Sequence, residues 1–271
     1  MRRSERIVRL TQQLLDHPGT PLSLTDMAEQ FSAAKSSLSE DLAIIRKVFE
    51  EDGEGFLRTH LGASGGIVFE VDVSSARERA FLTDIIQRLT HADRILPGGY
   101  FYMTDILAQP GVLRMVGKMF AKLFAPVSPN VVLTVETKGI ALAVATAEYL
   151  NCPFVVARRD HKWSEGPSVS TNYVSGSDRR IQTMSLSRRS IPVGSRVLII
   201  DDFMKAGGTV KGMTALIEEF SAQVVGTGVF MATTEPNDKL VSSYRSLFSL
   251  AHMDEAGATV VIQSGNYYKS L

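Results

Sequence analysis

The residues best suited to chemistry lie in the stretch VLIIDDFMKAGGT, positions 197–209. Four apolar residues run into Asp201 and Asp202, and Phe203, Met204, Lys205, Ala206, Gly207, Gly208 and Thr209 follow. The pattern predicts a strand over 197–200, a turn carrying both acids, and a helix beginning at Thr209. Glycines without a Cβ let backbone amides close on an anion. The free amides and positive dipole end of the helix favour a phosphate there. The loop therefore combines a donor nest for phosphate with acids for sugar hydroxyls. Its spacing is neither the Gly-x-x-x-x-Gly-Lys-Ser/Thr of a nucleoside-triphosphate loop nor a dinucleotide Gly-x-Gly-x-x-Gly.

Such a loop needs a sheet behind it. From residue 131 onward the runs VVLTV, PFVVARR, RVLIIDD and QVVGTGVFMA alternate with the helical stretches GIALAVATAEYL and GGTVKGMTALIEEF. Solid Val, Leu and Ile runs alternating with helices indicate an α/β domain with a mainly parallel sheet. The first 73 residues differ. Ile7, Leu10, Leu14 and Leu15 recur at helical spacing before Pro18-Gly19. Thr25 is placed to cap a second helix with Met27, Ala28 and Phe31 on one face. Leu38, Leu42, Ile45 and Phe49 turn inward on a third. GFLRTHL and GGIVFEVDV then form a hairpin. This order is that of a winged helix-turn-helix, whose exposed helix enters a DNA major groove. The expected boundary separates residues 1–73 from 74–271.

Bulk properties agree. A chain of 271 residues suggests roughly two domains. The single cysteine, Cys152, excludes an internal disulfide framework and fits a cytoplasmic protein. No apolar run reaches the ~18–20 residues of a membrane span, and no signal-peptide core is visible. Zero net charge gives no whole-chain signature for nucleic acid.

Residues 197–209 resemble the phosphoribosyl pyrophosphate (PRPP) motif of type I phosphoribosyltransferases. The resemblance implies that the acids bind the ribose hydroxyls and the loop amides bind the 5′-phosphate. Ala206 stands where those enzymes usually carry a threonine, and Lys205 beside it offers charge in place of the hydroxyl. VETKGIALA is similar to the family's pyrophosphate loop, with Glu136, Thr137, Lys138 and Gly139. LPGGYFYMTDIL resembles a Gly-rich aromatic strand of the orotate and xanthine members and makes Tyr102 a candidate contact, though a core or interface aromatic fits equally. The C-terminal SGNYYKSL offers aromatics for a nucleobase pocket, which otherwise has no signature.

With a winged helix in front, the whole chain resembles the purine operon repressors of Gram-positive bacteria. That family implies no enzyme activity and no resident metal. It implies a homodimer that binds double-stranded operator DNA upstream of purine genes, released by PRPP, with guanosine tetraphosphate as a competing effector. A pyrophosphate ligand beside two acids also implies Mg2+. The alternative is an active purine phosphoribosyltransferase with an N-terminal dimerisation module. Candidate DNA contacts are Arg2, Arg3 and Arg6, then Lys35, Ser36, Ser37 and Ser39 at the third helix. Arg158, Arg159 and Lys162 join them from a polar, basic segment that could instead meet pyrophosphate or simply be solvated. One feature opposes DNA binding: residues 1–73 hold eight Lys or Arg against twelve Asp or Glu.

Overall fold

The structure, a computed structural model, describes residues 1–60, 62, 65–159, 166–174 and 181–268. The chain divides into two compact units, Met1–Arg77 with Tyr149–Asn151, and Glu78–Glu148 with Cys152–Leu271.

The first unit is a winged helix-turn-helix. Helices α1 (Arg3–Asp16), α2 (Leu24–Phe31) and α3 (Lys35–Asp52) precede strands β1 (Gly55–His60) and β2 (Gly66–Val71). The two strands pair antiparallel as a wing. Leu10, Leu14, Met27, Phe31, Leu38, Leu42, Ile45 and Phe49 form one core with Leu57, Ile67 and Phe69 of the wing. Leu15 departs from expectation and is half exposed. It lies about 100° around the helix from Leu14, off the stripe that faces α3. Ser23, not Thr25, caps α2: its hydroxyl accepts from the Asp26 amide at 3.3 Å. Thr25 lies inside the helix and accepts a hydrogen bond from the Lys35 ammonium at 2.8 Å. Where α2 ends, Ser32 adopts the left-handed conformation of a tight helix-turn-helix corner.

Helix α4 (Ser75–Leu89) carries the chain into the second unit, followed by a short hairpin of β3 (Ile95–Leu96) and β4 (Tyr100–Phe101), α5 (Thr104–Leu107) and α6 (Pro110–Phe124). Then follow β5 (Val131–Val135), α7 (Ile140–Leu150), β6 (Phe154–Ala157), and the antiparallel pair β7 (Ser168–Val174) and β8 (Ile181–Ser187). The chain ends with β9 (Arg196–Met204), α8 (Gly208–Glu218), β10 (Gln223–Thr233), β11 (Arg245–Asp254) and β12 (Thr259–Ser264). Six strands form one sheet in the order β12-β11-β10-β9-β5-β6. All pairs are parallel except β11 with β12. Strand β5 and residues 197–200 of β9 are apolar and buried because helices cover both faces. The Asp201–Asp202 pair was expected in a turn. It lies on β9 instead, because the ladder to β10 continues through Asp201, Phe203 and Met204.

This order creates a crevice. From β5 the chain crosses through α7 to β6 on one side, and from β9 through α8 to β10 on the other. The carboxyl ends of β5 and β9 are thus adjacent strand ends whose connections diverge, the place where open α/β sheets bind ligands. Among the described residues no helix is long and apolar enough to cross a membrane.

Candidate effector-binding site

A cavity of about 510 Å³ opens at that switch point. Its floor is the end of β9. Asp201 is nearly fully buried, and one of its carboxylate oxygens accepts the Asp202 amide at 2.9 Å. Burial, reinforced by the Asp202 charge, raises the Asp201 carboxyl well above the usual carboxylate range. Burial also raises Asp202, opposed by its hydrogen bond with Asp201 and the charge of Lys138. The site thus holds two carboxyls whose protonated form burial favours, and each can still accept a hydroxyl donor through its carbonyl oxygen.

Two loops flank these acids. Glu136, Thr137 and Lys138 follow β5 and line one wall. Gly139 sits behind them: a Cβ there would stand 2.4 Å from Thr134 Oγ1 and 3.1 Å from Asp201 Oδ1. On the other side, Lys205, Ala206, Gly207, Gly208 and Thr209 line the cavity beyond Phe203 and Met204. Gly207 is the N-cap of α8 with φ 85°, a left-handed conformation that suits glycine. The first amides of α8 have no acceptor within their own helix, so a phosphate at this end would meet unspent donors and a favourable dipole.

The cation distribution differs from the sequence expectation. Arg159 was grouped with DNA contacts, yet it lines the cavity, and its charge acts on both Asp201 and Tyr173. Its backbone amide donates to Glu136 at 2.7 Å, and the Arg158 guanidinium lies 3.6 Å from the same carboxylate. Glu136 therefore holds the end of β6 against the loop after β5. Lys162 lies outside the described residues. Tyr102 is exposed and does not reach the cavity; Tyr100, Phe101 and Met103 line it instead. They form an apolar side with Leu250 and Met253, which no sequence motif announced. The C-terminal aromatics do not serve as a base pocket. Tyr267 is buried, donating its hydroxyl toward Glu78 and the Met119 carbonyl, each at 3.2 Å. Among the described residues no group of three or more His, Cys, Asp or Glu could hold a metal.

In the winged-helix unit, Arg2, Ser36 and Ser39 are exposed and Ser37 is half-buried. Ser39 donates to the Lys35 carbonyl at 2.9 Å, a bond that leaves its oxygen free to accept. Arg3 and Arg6 are engaged elsewhere. Both guanidinium groups donate to Asp41 of α3, whose side chain is completely buried. Arg6 is itself largely enclosed, with 13% of its side chain exposed. This pairing occupies two of the unit's eight cations and one of its twelve acids, so it does not ease the charge objection. The first turn of α3 carries no acid.

Comparison with known proteins follows these two units. Residues 2–70 match the family model "Bacterial purine repressor, N-terminal", and residues 103–263 match "Phosphoribosyl transferase domain". Over 268 residues the chain is 50% identical to the "Purine biosynthesis transcriptional repressor PurR" of Bacillus subtilis, covering 99% of this chain and 94% of that protein. The chain belongs to the bacterial purine repressor family. Family members differ in the sign of regulation their names state. A relative in Lactococcus lactis subsp. lactis, 40% identical with 99% of both chains covered, is a "Purine biosynthesis transcriptional activator PurR". In fold, the family's larger unit is that of the phosphoribosyltransferases. The adenine phosphoribosyltransferase of Thermoanaerobacter pseudethanolicus superposes with a TM-score of 0.53 at 20% identity, over 61% of this chain and 98% of that one.

Proposed function

We propose that this protein is a DNA-binding transcriptional repressor of purine biosynthesis and transport genes that PRPP releases from its operator. Residues 1–73 serve as the DNA-binding domain and residues 74–271 as the effector domain. The carrying observation is the cavity at the β5/β9 switch point. It joins two acids, an open helix N-terminus, and the cations Lys138, Arg159 and Lys205 in one chain with a winged helix. The acids suit the ribose hydroxyls, the amides of Gly207 and Gly208 the 5′-phosphate, and Lys138 with Arg159 the pyrophosphate. Magnesium would arrive with the pyrophosphate oxygens, because two carboxylates fall short of its six oxygen ligands. The apolar side formed by Tyr100, Phe101, Leu250 and Met253 suits the guanine of guanosine tetraphosphate, which then competes with PRPP. In this reading the protein is a homodimer that pairs two operator half-sites, as helix-turn-helix dimers do.

The same apolar side supports a second reading, transfer of the phosphoribosyl group to a purine base. One pair of measurements separates them. Purine-operator DNA is titrated with protein, then with PRPP, and nucleotide formation is followed with PRPP, magnesium and purine bases. Operator binding that PRPP reverses, without turnover, supports the repressor. Absence of specific DNA binding overturns it, and enzyme-like turnover establishes the second reading. Reporter expression in a deletion strain distinguishes repression from activation. An Asp201→Ala, Asp202→Ala variant should bind operator but ignore PRPP.

A further inference from the structure

The loop from Lys205 to Gly207 is fastened from behind. The Lys239 ammonium donates to the Lys205 carbonyl, to the Thr233 carbonyl at 2.8 Å and to the Thr233 hydroxyl at 3.2 Å. The Thr233 hydroxyl itself lies 3.3 Å from the same Lys205 carbonyl. One residue further on, the Leu240 amide donates to the Ala206 carbonyl at 2.8 Å. Val241 then backs Gly207, its Cγ2 3.2 Å from where a Cβ on that glycine would stand. Three consecutive residues, 239–241, thus engage three consecutive residues of the loop, 205–207.

The pattern has a directional consequence. The two peptide units that join Lys205 to Ala206 and Ala206 to Gly207 are trans. In a trans peptide the carbonyl and the following N–H point opposite ways. Lys239 and Leu240 hold both carbonyls on the outer side. The amides of Ala206 and Gly207 therefore turn to the inner side, where these residues line the cavity. Amides fixed before the ligand arrives bind an anion without first paying for their own ordering.

We propose that Lys239 is a positioning residue for the effector's phosphate. Its ammonium clamps the Lys205 carbonyl to the end of β10, and with the Leu240 amide it presets two loop amides as phosphate donors. The clamp stands in for the side-chain hydroxyl that Ala206 lacks, supplying by backbone order what the chain does not supply at that position. This inference rests on the reading of the cavity as a phosphoribosyl site and deepens it.

The test uses the full chain and three probes: PRPP, ribose 5-phosphate for the clamped loop, and pyrophosphate with magnesium for the loop after β5. Calorimetric titration of Lys239→Met should show ribose 5-phosphate affinity reduced about tenfold, the scale of one lost charge-assisted hydrogen bond. Pyrophosphate affinity should be unchanged. Lys239→Arg, which can still donate to both carbonyls, should recover most of the loss. Unchanged ribose 5-phosphate affinity in Lys239→Met overturns the proposal. So does an equal loss for both probes with a lowered melting temperature, which marks general destabilisation. If the unaltered protein binds none of the three probes, the cavity is not a phosphoribosyl site and the inference falls with that reading.

Discussion

Replacing Asp41 by alanine should loosen the winged-helix unit without touching the effector cavity. The Asp41 side chain is completely buried between Arg3 and Arg6, which retain 55% and 13% of their side-chain exposure. Arg3 is half in water, so its share of the pairing is small. Arg6 is the partner whose charge would be stranded. Breaking a buried pair costs ~3–5 kcal/mol, and the residual exposure of Arg6 places this variant at the lower end, about 3 kcal/mol. A chain with two units has no single unfolding free energy, so hydrogen exchange is the assay. Amides of α1 and α3 should exchange roughly 150-fold faster at a loss of about 3 kcal/mol, and those of the six-stranded sheet should not change. A paired Arg6→Met, Asp41→Leu variant should recover most of the protection, because apolar packing replaces a buried ion pair at little cost. The same pair decides what Arg6 does. As a structural cation it should leave the salt slope of operator binding intact when replaced by alanine, whereas a phosphate contact would contribute about 0.9 to that slope. Exchange within threefold of the unaltered protein in Asp41→Ala, or a slope lowered by about one unit in Arg6→Ala, refutes this reasoning.

Three further outcomes are expected. Gly139→Ala forces a Cβ into contact with Thr134 and Asp201. Calorimetry should show PRPP affinity reduced on the order of tenfold or more, a loss of about 1.4 kcal/mol, with operator binding retained. Asp201→Asn should stabilise the effector unit at neutral pH. The folded carboxyl is raised by burial and by Asp202, so the native state keeps a proton that the unfolded chain releases. That contribution to stability is complete below the unfolded value and is lost as pH rises through the folded one. Melting curves across pH should show this decline in the unaltered protein and its removal in the variant, which also loses PRPP. Tyr100→Ala should weaken guanosine tetraphosphate binding, whereas Tyr102→Ala should not, since only Tyr100 lines the cavity; equal effects in a competition assay would refute the placement.

Local sequence determined a good deal of this protein. The heptad-like recurrence of Leu10 and Leu14, then Leu38, Leu42 and Ile45, marked the helices of the first unit, because a helix buries one stripe whatever it packs against. Runs such as VVLTV and VLII marked strands covered on both faces. The order of acids, glycines and threonine in residues 197–209 carried the proposed ligand chemistry, because a phosphate loop is built from consecutive backbone amides and is therefore written in consecutive residues. What stayed hidden involves partners distant in the chain. Nothing near Arg6 announces Asp41, 35 residues away, so a cation that stitches α1 to α3 reads as a free one. Arg159 reads as part of a basic surface until the parallel pairing of β5 with β6 brings it beside Glu136 and the cavity. Tyr100 and Tyr102 look interchangeable until the backbone of the hairpin decides which of them reaches the site. Lys239 lies 34 residues beyond the loop it fastens, and only the return of the chain from β10 brings them together. Consecutive residues specify which groups a loop can offer; the strand order of the sheet decides which way those groups face and what holds them there.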